Sequence, residues 1–108
     1  MAQFDVYRNP GRNRDAIPYV IVLQSRRFDG HARRLVAPLV AAGAAGASGY
    51  PEIAPRFEIE GNPVILDPLQ IQTVPAAALG APVASLAEDR HSSRIVSAID
   101  VALSTSHG

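Results

Sequence analysis

Arg26-Arg27-Phe28-Asp29 and Arg33-Arg34 flank a short polar connection that also holds His31. Arginines around a histidine could hold a scissile phosphate while the imidazole gives or takes a proton, which is ribonuclease chemistry on the trio Arg27, His31 and Arg33. The same residues also read as a solvated loop and an edge strand whose charge discourages self-pairing. Phe28, an aromatic in an otherwise polar loop, gives a third reading, an exposed anchor for a partner. Asp89 and His91 form a second polar couple, which reads most simply as two residues of a helix's first turn.

Other chemistries find little to work with. His31, His91 and His107 lack the spacing that would set two of them on one helix or strand face as a metal pair. The chain has no cysteine, so it holds no disulfide framework, thiolate ligand or thiol nucleophile. Ser25, Ser48, Ser85, Ser92, Ser93 and Ser97 stand in no Gly-x-Ser-x-Gly elbow. The alanine-glycine stretch near residue 45 lacks the lysine and the Ser/Thr of a phosphate loop. Neither a cofactor nor a metal is expected.

These residues must be positioned by short strands and one helix. Ile95, Ala98, Ile99, Ala102 and Leu103 fall at the i, i+3, i+4, i+7, i+8 spacing of a single helix face, with Asp89 as N-cap. Upstream, Gln3 to Tyr7 alternates as a first strand, with Phe4 and Val6 on one side and Asp5 and Tyr7 on the other. After a charged turn-rich loop, Tyr19-Val20-Ile21-Val22-Leu23 is a continuous apolar run, predicted as a central strand buried on both faces. Arg33 to Val40 is a third strand whose Pro38 suits an edge or a bulge. Ala41 to Gly49 has too little side-chain area to bury and reads as a mobile loop.

Further on, Ile53, Phe57 and Ile59 share one side of an extended segment, Gly61-Asn62-Pro63 turns, and Val64-Ile65-Leu66 returns. Leu69 to Val74 alternates again, and Val83 to Leu86 is a last short strand. Seven short strands, one C-terminal helix and no βαβ crossover predict a mainly β (α+β) protein, an antiparallel sheet or partly closed barrel. Phe4, Val6, Val20, Val22, Val36, Phe57, Ile59, Ile71, Ile95 and Ile99 are expected to share its core.

The totals set the class. The chain has 108 residues, enough for one self-sufficient domain, expected to span 1–108. Ten basic residues balance ten acidic ones, which argues against a general nucleic-acid coat. All ten basic residues are arginine, consistent with a GC-rich coding sequence or with an arginine-lined surface for carboxylates or phosphates. No apolar run is long enough to cross a bilayer, and the opening residues lack the order of a secretion signal, so a soluble cytoplasmic protein is expected.

Taken in order, several segments resemble the CcdB-type toxins of bacterial toxin-antitoxin modules. Gln3-Phe4-Asp5-Val6-Tyr7 resembles the family's opening strand, and Val22-Leu23-Gln24-Ser25 its second strand and Gln-Ser exit. Arg33-Arg34-Leu35-Val36-Ala37-Pro38-Leu39 is similar to its Arg-Arg-x-Val-x-Pro-Leu segment, the most specific single match. Pro55 to Gly61, Val74-Pro75, Val83 to Leu86 and Ile95 to Ile99 complete the series.

The resemblance implies an SH3-like antiparallel barrel with a C-terminal helix, forming a homodimer. It implies a toxin without chemistry of its own, which binds the A subunit of DNA gyrase, traps the cleaved-DNA complex and is neutralised by a CcdA-like antitoxin. The family's contact surface, carried across by position, comprises Arg27 and Phe28 in the loop and Asp100, Leu103 and Ser104 at the helix end. Where well-studied members carry Trp-Gly-Ile, this sequence reads Ser104-Thr105-Ser106-His107-Gly108. Two alternatives stay open beside gyrase poisoning: a ribonuclease toxin on a similar barrel, and a non-toxic relative that binds only antitoxin.

Overall fold

The computed structural model describes residues 3–44 and 53–104. Within them run seven strands and one α-helix: β1 (Asp5–Arg8), β2 (Tyr19–Val22), β3 (Arg33–Ala41), β4 (Arg56–Ile59), β5 (Asn62–Leu66), β6 (Gln72–Pro75), β7 (Ala84–Ser85) and α1 (Asp89–Ser104). Every pairing is antiparallel. The strand order is β4-β5-β3-β2-β1-β7, with β6 also on β3, and the sheet curls into a nearly closed barrel beside the helix. The mainly β architecture expected from the strand pattern is the one observed.

β2 shows why the sheet has two covered faces. All four of its residues are buried, and successive side chains of a strand point to opposite faces. Tyr19 and Ile21 enter the main core with Phe4, Val6, Leu39, Phe57, Ile59, Val64 and Ile95. Val20 and Val22 enter a second cluster with Tyr7, Val36 and Leu79. The single shared core expected from the sequence is therefore split in two. Val20, Val22 and Val36 lie on the far side of the sheet from Phe4 and Ile95, and Ile71 and Ile99 are only partly buried. Tyr7, placed by alternation on the polar side of β1, is buried for the same reason.

β3 is the strand on which the barrel turns. Its first half pairs with β6, from Arg33↔Pro75 to Val36↔Gln72, and its last residues pair with β5, from Leu39↔Leu66 to Ala41↔Val64. Pro38 sits between these two partners, opposite Val20 of β2. Its carbonyl accepts from the Asp67 amide at 3.1 Å, so its missing N–H faces the gap between β6 and β5. Proline is tolerated here at a change of partner inside a central strand, not at the edge that its presence suggested.

Four local readings change. Phe4 is not extended: its φ of 67° is left-handed, and its amide reaches the Val22 carbonyl at 2.7 Å before β1 begins. The β4–β5 hairpin turns at Glu60-Gly61, with φ of 53° and 80°, and Asn62 already pairs with Ile59. Two consecutive positive φ values mark the primed turn that matches strand twist. Residues Leu69 and Gln70 belong to a 3-10 turn, Pro68–Gln70, because the Asp67 carboxylate accepts from the Leu69 amide at 3.0 Å and so opens a turn. Asp89 is the first helical residue, and the Glu88 carbonyl takes the first bonds, from the amides of His91 and Ser92.

Burial fades along α1. Ile95 and Ala98 are buried, Ile99 and Ala102 are half-buried, and Leu103 is 71% exposed although it shares their periodicity. The spacing defines a helix face but not the length of barrel wall that faces it. Of the alanine-glycine stretch, residues 45–49 lie outside the described residues, as do Tyr50-Pro51 and the tail from 105 on.

Candidate functional site

Among the described residues, exposed large apolar side chains stand at Phe28 and Leu35 around the β2–β3 loop, at Leu69 in the 3-10 turn after β5, and at Val96, Val101 and Leu103 on α1. Two of these three places hold the positions marked by the resemblance. One is the loop between β2 and β3. Ser25 caps a 3-10 turn, Arg26–Phe28, by accepting from the Arg27 amide at 3.3 Å. The Phe28 ring stands 55% exposed, with the Arg27 guanidinium carbon 5.6 Å from its centroid. Gln24 fastens the turn: its Nε2 donates to the Phe28 carbonyl at 2.8 Å, and its Oε1 accepts from the Leu35 amide at 2.9 Å. Beside Phe28 lies an open hollow of about 590 Å³, lined by Leu23, Leu35, His31, Arg33 and Thr73 among others.

The second place is the outer flank of α1. Val96, Asp100 and Leu103 stand at i, i+4 and i+7, on one stripe of the helix. Val96 is 47% exposed and Leu103 more so, an apolar surface the barrel leaves uncovered. Ser104 is the last helical residue. The five positions picked out by resemblance thus divide between two elements, Arg27 with Phe28 on the loop and Asp100 with Leu103 and Ser104 on the helix end.

The arginine cluster is pulled apart. Neighbouring residues of a strand face opposite ways, and Arg33 goes outward while Arg34 goes inward. The Arg33 guanidinium lies along β6, donating to the Thr73 hydroxyl at 2.8 Å and the Thr73 carbonyl at 3.0 Å. The Arg33 amide donates to His31 Nδ1 at 3.1 Å. Arg34 is the one buried charged residue among those described. Its guanidinium donates to the backbone carbonyls of Asp29 (2.6 Å), Arg33 (3.1 Å) and His31. The edge-strand reading of Arg33-Arg34 fails on the pairing, since β3 is central. Alternation puts two adjacent strand arginines on opposite faces, but it does not say that one face is covered or which arginine lies under it.

Of the Asp89–His91 couple, His91 serves docking, while Asp89 is exposed at the start of α1. His91 meets Phe57 edge-on at 5.7 Å between ring centroids, and the Arg94 guanidinium stacks over the same Phe57 ring at 4.7 Å. Among the described residues no group of three or more His, Cys, Asp or Glu residues could hold a metal ion. No helix among them is long and apolar enough to cross a membrane.

A family profile described as CcdB protein matches residues 3–105, nearly the whole chain. The chain belongs to the CcdB family. No curated protein matches it closely enough to add a relative. Membership ties the chain to the toxins of toxin-antitoxin modules, and the barrel with its terminal helix bears out the fold that the resemblance implied. Within this CcdB-family chain the exposed apolar residues Phe28 and Leu103 fall on the two elements, loop and helix end, that the resemblance marked.

Proposed function

We propose that this CcdB-family chain is the toxin of a type II toxin-antitoxin system and acts by binding rather than by catalysis. As a cytoplasmic homodimer it engages the A subunit of DNA gyrase, traps the gyrase-DNA cleavage complex, and is released by a CcdA-like antitoxin. The observation that carries this reading is the family match over residues 3–105. The exposed side chains support it. Phe28 and Leu103 offer the large apolar anchors on which association energy concentrates, and Arg27 and Asp100 offer flanking charge of both signs. Leu103 stands one residue before the position where the family carries tryptophan, and is the large apolar group at that end of the helix.

The ribonuclease alternative would use Arg27, His31 and Arg33. Arg33 has its Nε and one terminal nitrogen committed to Thr73, and His31 Nδ1 accepts from a backbone amide, so two of the three are engaged in local structure. The test is a calorimetric titration of the protein into the dimerisation fragment of the gyrase A subunit, with an RNA-cleavage assay on the same preparation. Saturable binding with intact RNA is the expected result. Absence of binding overturns the gyrase target; if RNA is cleaved as well, the function passes to the ribonuclease reading, and if RNA is intact, to a relative that binds only antitoxin.

A further inference from the structure

The loop that presents Arg27 and Phe28 has no hydrophobic core of its own. Between Arg26 and Ala32 every residue but Asp29 is exposed, and Asp29 is only half-buried. Seven residues with so little buried area should sample many conformations, since ordering each backbone unit costs on the order of 1 kcal/mol. Yet the loop holds a defined path. The Phe28 amide donates to the Ser25 carbonyl at 2.9 Å, the Asp29 amide to Arg26 at 3.1 Å, and the His31 amide to Phe28 at 3.0 Å.

What holds this path lies underneath it. Arg34 is only 6% exposed, and three backbone carbonyls of the loop and its exit, those of Asp29, His31 and Arg33, converge on its guanidinium. A guanidinium carries five donors in a rigid planar fork, so it can take several carbonyls at fixed angles around one plane. Burying that cation is costly unless its donors are satisfied, and the loop backbone supplies the acceptors. The cost of leaving Arg34 unsatisfied is therefore a force that closes the loop. Arg34 is itself anchored, because its backbone lies in β3 opposite Val74 of β6.

We propose that Arg34 is the positioning residue of the partner-contact loop. Its guanidinium is the peg around which residues 29–33 wind, and through them it fixes how Arg27 and Phe28 stand toward a partner. Gln24 holds the other side of the loop through the Phe28 carbonyl. A loop pre-set in this way loses less conformational freedom on association, which strengthens binding without Arg34 touching the partner. The consequence for binding rests on the proposal that Phe28 and Arg27 make the contact. The ordering of the loop does not.

The test separates the two. The chain contains no tryptophan, so Phe28→Trp introduces a single fluorescent reporter at the loop tip. Amide hydrogen exchange and the anisotropy decay of that reporter are measured for this protein with Arg34 intact, with Arg34→Gln and with Arg34→Lys. In Arg34→Gln, exchange at residues 28, 29 and 31 is expected to accelerate by at least about tenfold, with a fast local component in the anisotropy, while β2 and β5 amides keep their protection. Arg34→Lys keeps the charge but offers three donors from one point, and should restore the loop only in part. Unchanged loop exchange in Arg34→Gln overturns the proposal. So does an equal rise across β2 and β5, which would make Arg34 a support of the whole barrel. If Arg34→Gln does not fold, Arg34→Lys decides alone: protection at residues 28, 29 and 31 equal to the parent overturns the proposal, and selective loss there supports it. Affinity for the gyrase A fragment is then read on the same variants without the tryptophan. A tenfold or larger loss in Arg34→Gln completes the case, and a parent protein that does not bind overturns the gyrase reading while the exchange data still decide the role of Arg34.

Discussion

Tyr19 shows how much one side chain can organise. Its ring is buried in the main core, yet its hydroxyl reaches the barrel's end, where it donates to Glu60 Oε1 at 2.8 Å and accepts from Asn62 Nδ2 at 3.1 Å. Arg8 closes the group by forking onto both Glu60 oxygens at 3.2 and 3.0 Å. Glu60 occupies a left-handed position, which costs an L-residue about 1 kcal/mol. The Arg8–Glu60 pair is too exposed to offset this securely, since such surface pairs contribute at most about 1 kcal/mol. The phenol bonds and the buried ring hold the turn. Burial first, and the neighbouring Glu60 carboxylate after it, raises the Tyr19 pKa above 10.0, and burial with Asp5 nearby raises that of Tyr7. For a group whose folded pKa lies above its unfolded one, the stabilisation is complete below the unfolded pKa and is lost as pH rises through the folded one. Urea stability should therefore hold up to about pH 10 and fall beyond it. Tyr19→Phe should cost about 1 kcal/mol at neutral pH and make the alkaline fall shallower. An alkaline fall as steep in Tyr19→Phe and Tyr7→Phe as in the parent would show that tyrosine ionisation does not drive it.

Among the elements, α1 is held by its first half. Arg94 donates to the Arg56 carbonyl at 2.8 Å while stacking on Phe57, and Ile95 is fully buried beneath. Ile95→Asp should leave the domain unfolded at room temperature, because an unpaired buried carboxylate costs several kcal/mol, a large part of a domain's total margin. Ile99 sits where the wall recedes, so Ile99→Asp should fold with a lowered melting temperature, its carboxylate turning toward solvent. Circular dichroism melts of the two variants decide this, and an equal effect would mean that the helix docks along its whole length. The helix face was legible in the sequence because periodicity is a local property. The point where burial ends was not, because it depends on how far the curled sheet extends. Likewise β2 announced its two buried faces through an unbroken apolar run. Tyr7 did not, since a polar-tipped residue at an alternating position carries no mark of the second cluster behind the sheet. Asp67-Pro68 overrode the alternation of residues 69–74 by turn chemistry, which a period count does not weigh. At the candidate site, Phe28 was visible as an aromatic among polar neighbours. Arg34 was hidden because its role depends on carbonyls that only the folded loop brings together.

For the molecule as a whole, charge balance shapes how it can bind. With ten cations against ten anions there is no strong net field to steer a partner from a distance, so affinity rests on short-range contacts, apolar ones among them. Phe28 and Leu103, the two most exposed of the large apolar side chains among the described residues, lie on different elements and outside both core clusters. Phe28→Ala and Leu103→Asp should each weaken binding to the gyrase A fragment by about tenfold or more, while thermal stability shifts little, as expected for exposed positions. A carboxylate in the last helical turn also opposes the helix dipole, by roughly 0.3–1 kcal/mol, so Leu103→Gln serves as the neutral control for loss of the anchor. His31→Ala should lose far less affinity than Phe28→Ala, since the His31 ring accepts one amide bond inside its own loop. If both residues pack on the same partner group, the double variant Phe28→Ala/Leu103→Gln should depart from additivity, whereas contacts with separate groups should add. Toxicity that survives Phe28→Ala and Leu103→Asp but is lost in His31→Ala would reverse the assignment, and would move the function from the exposed anchors to the histidine between the arginines.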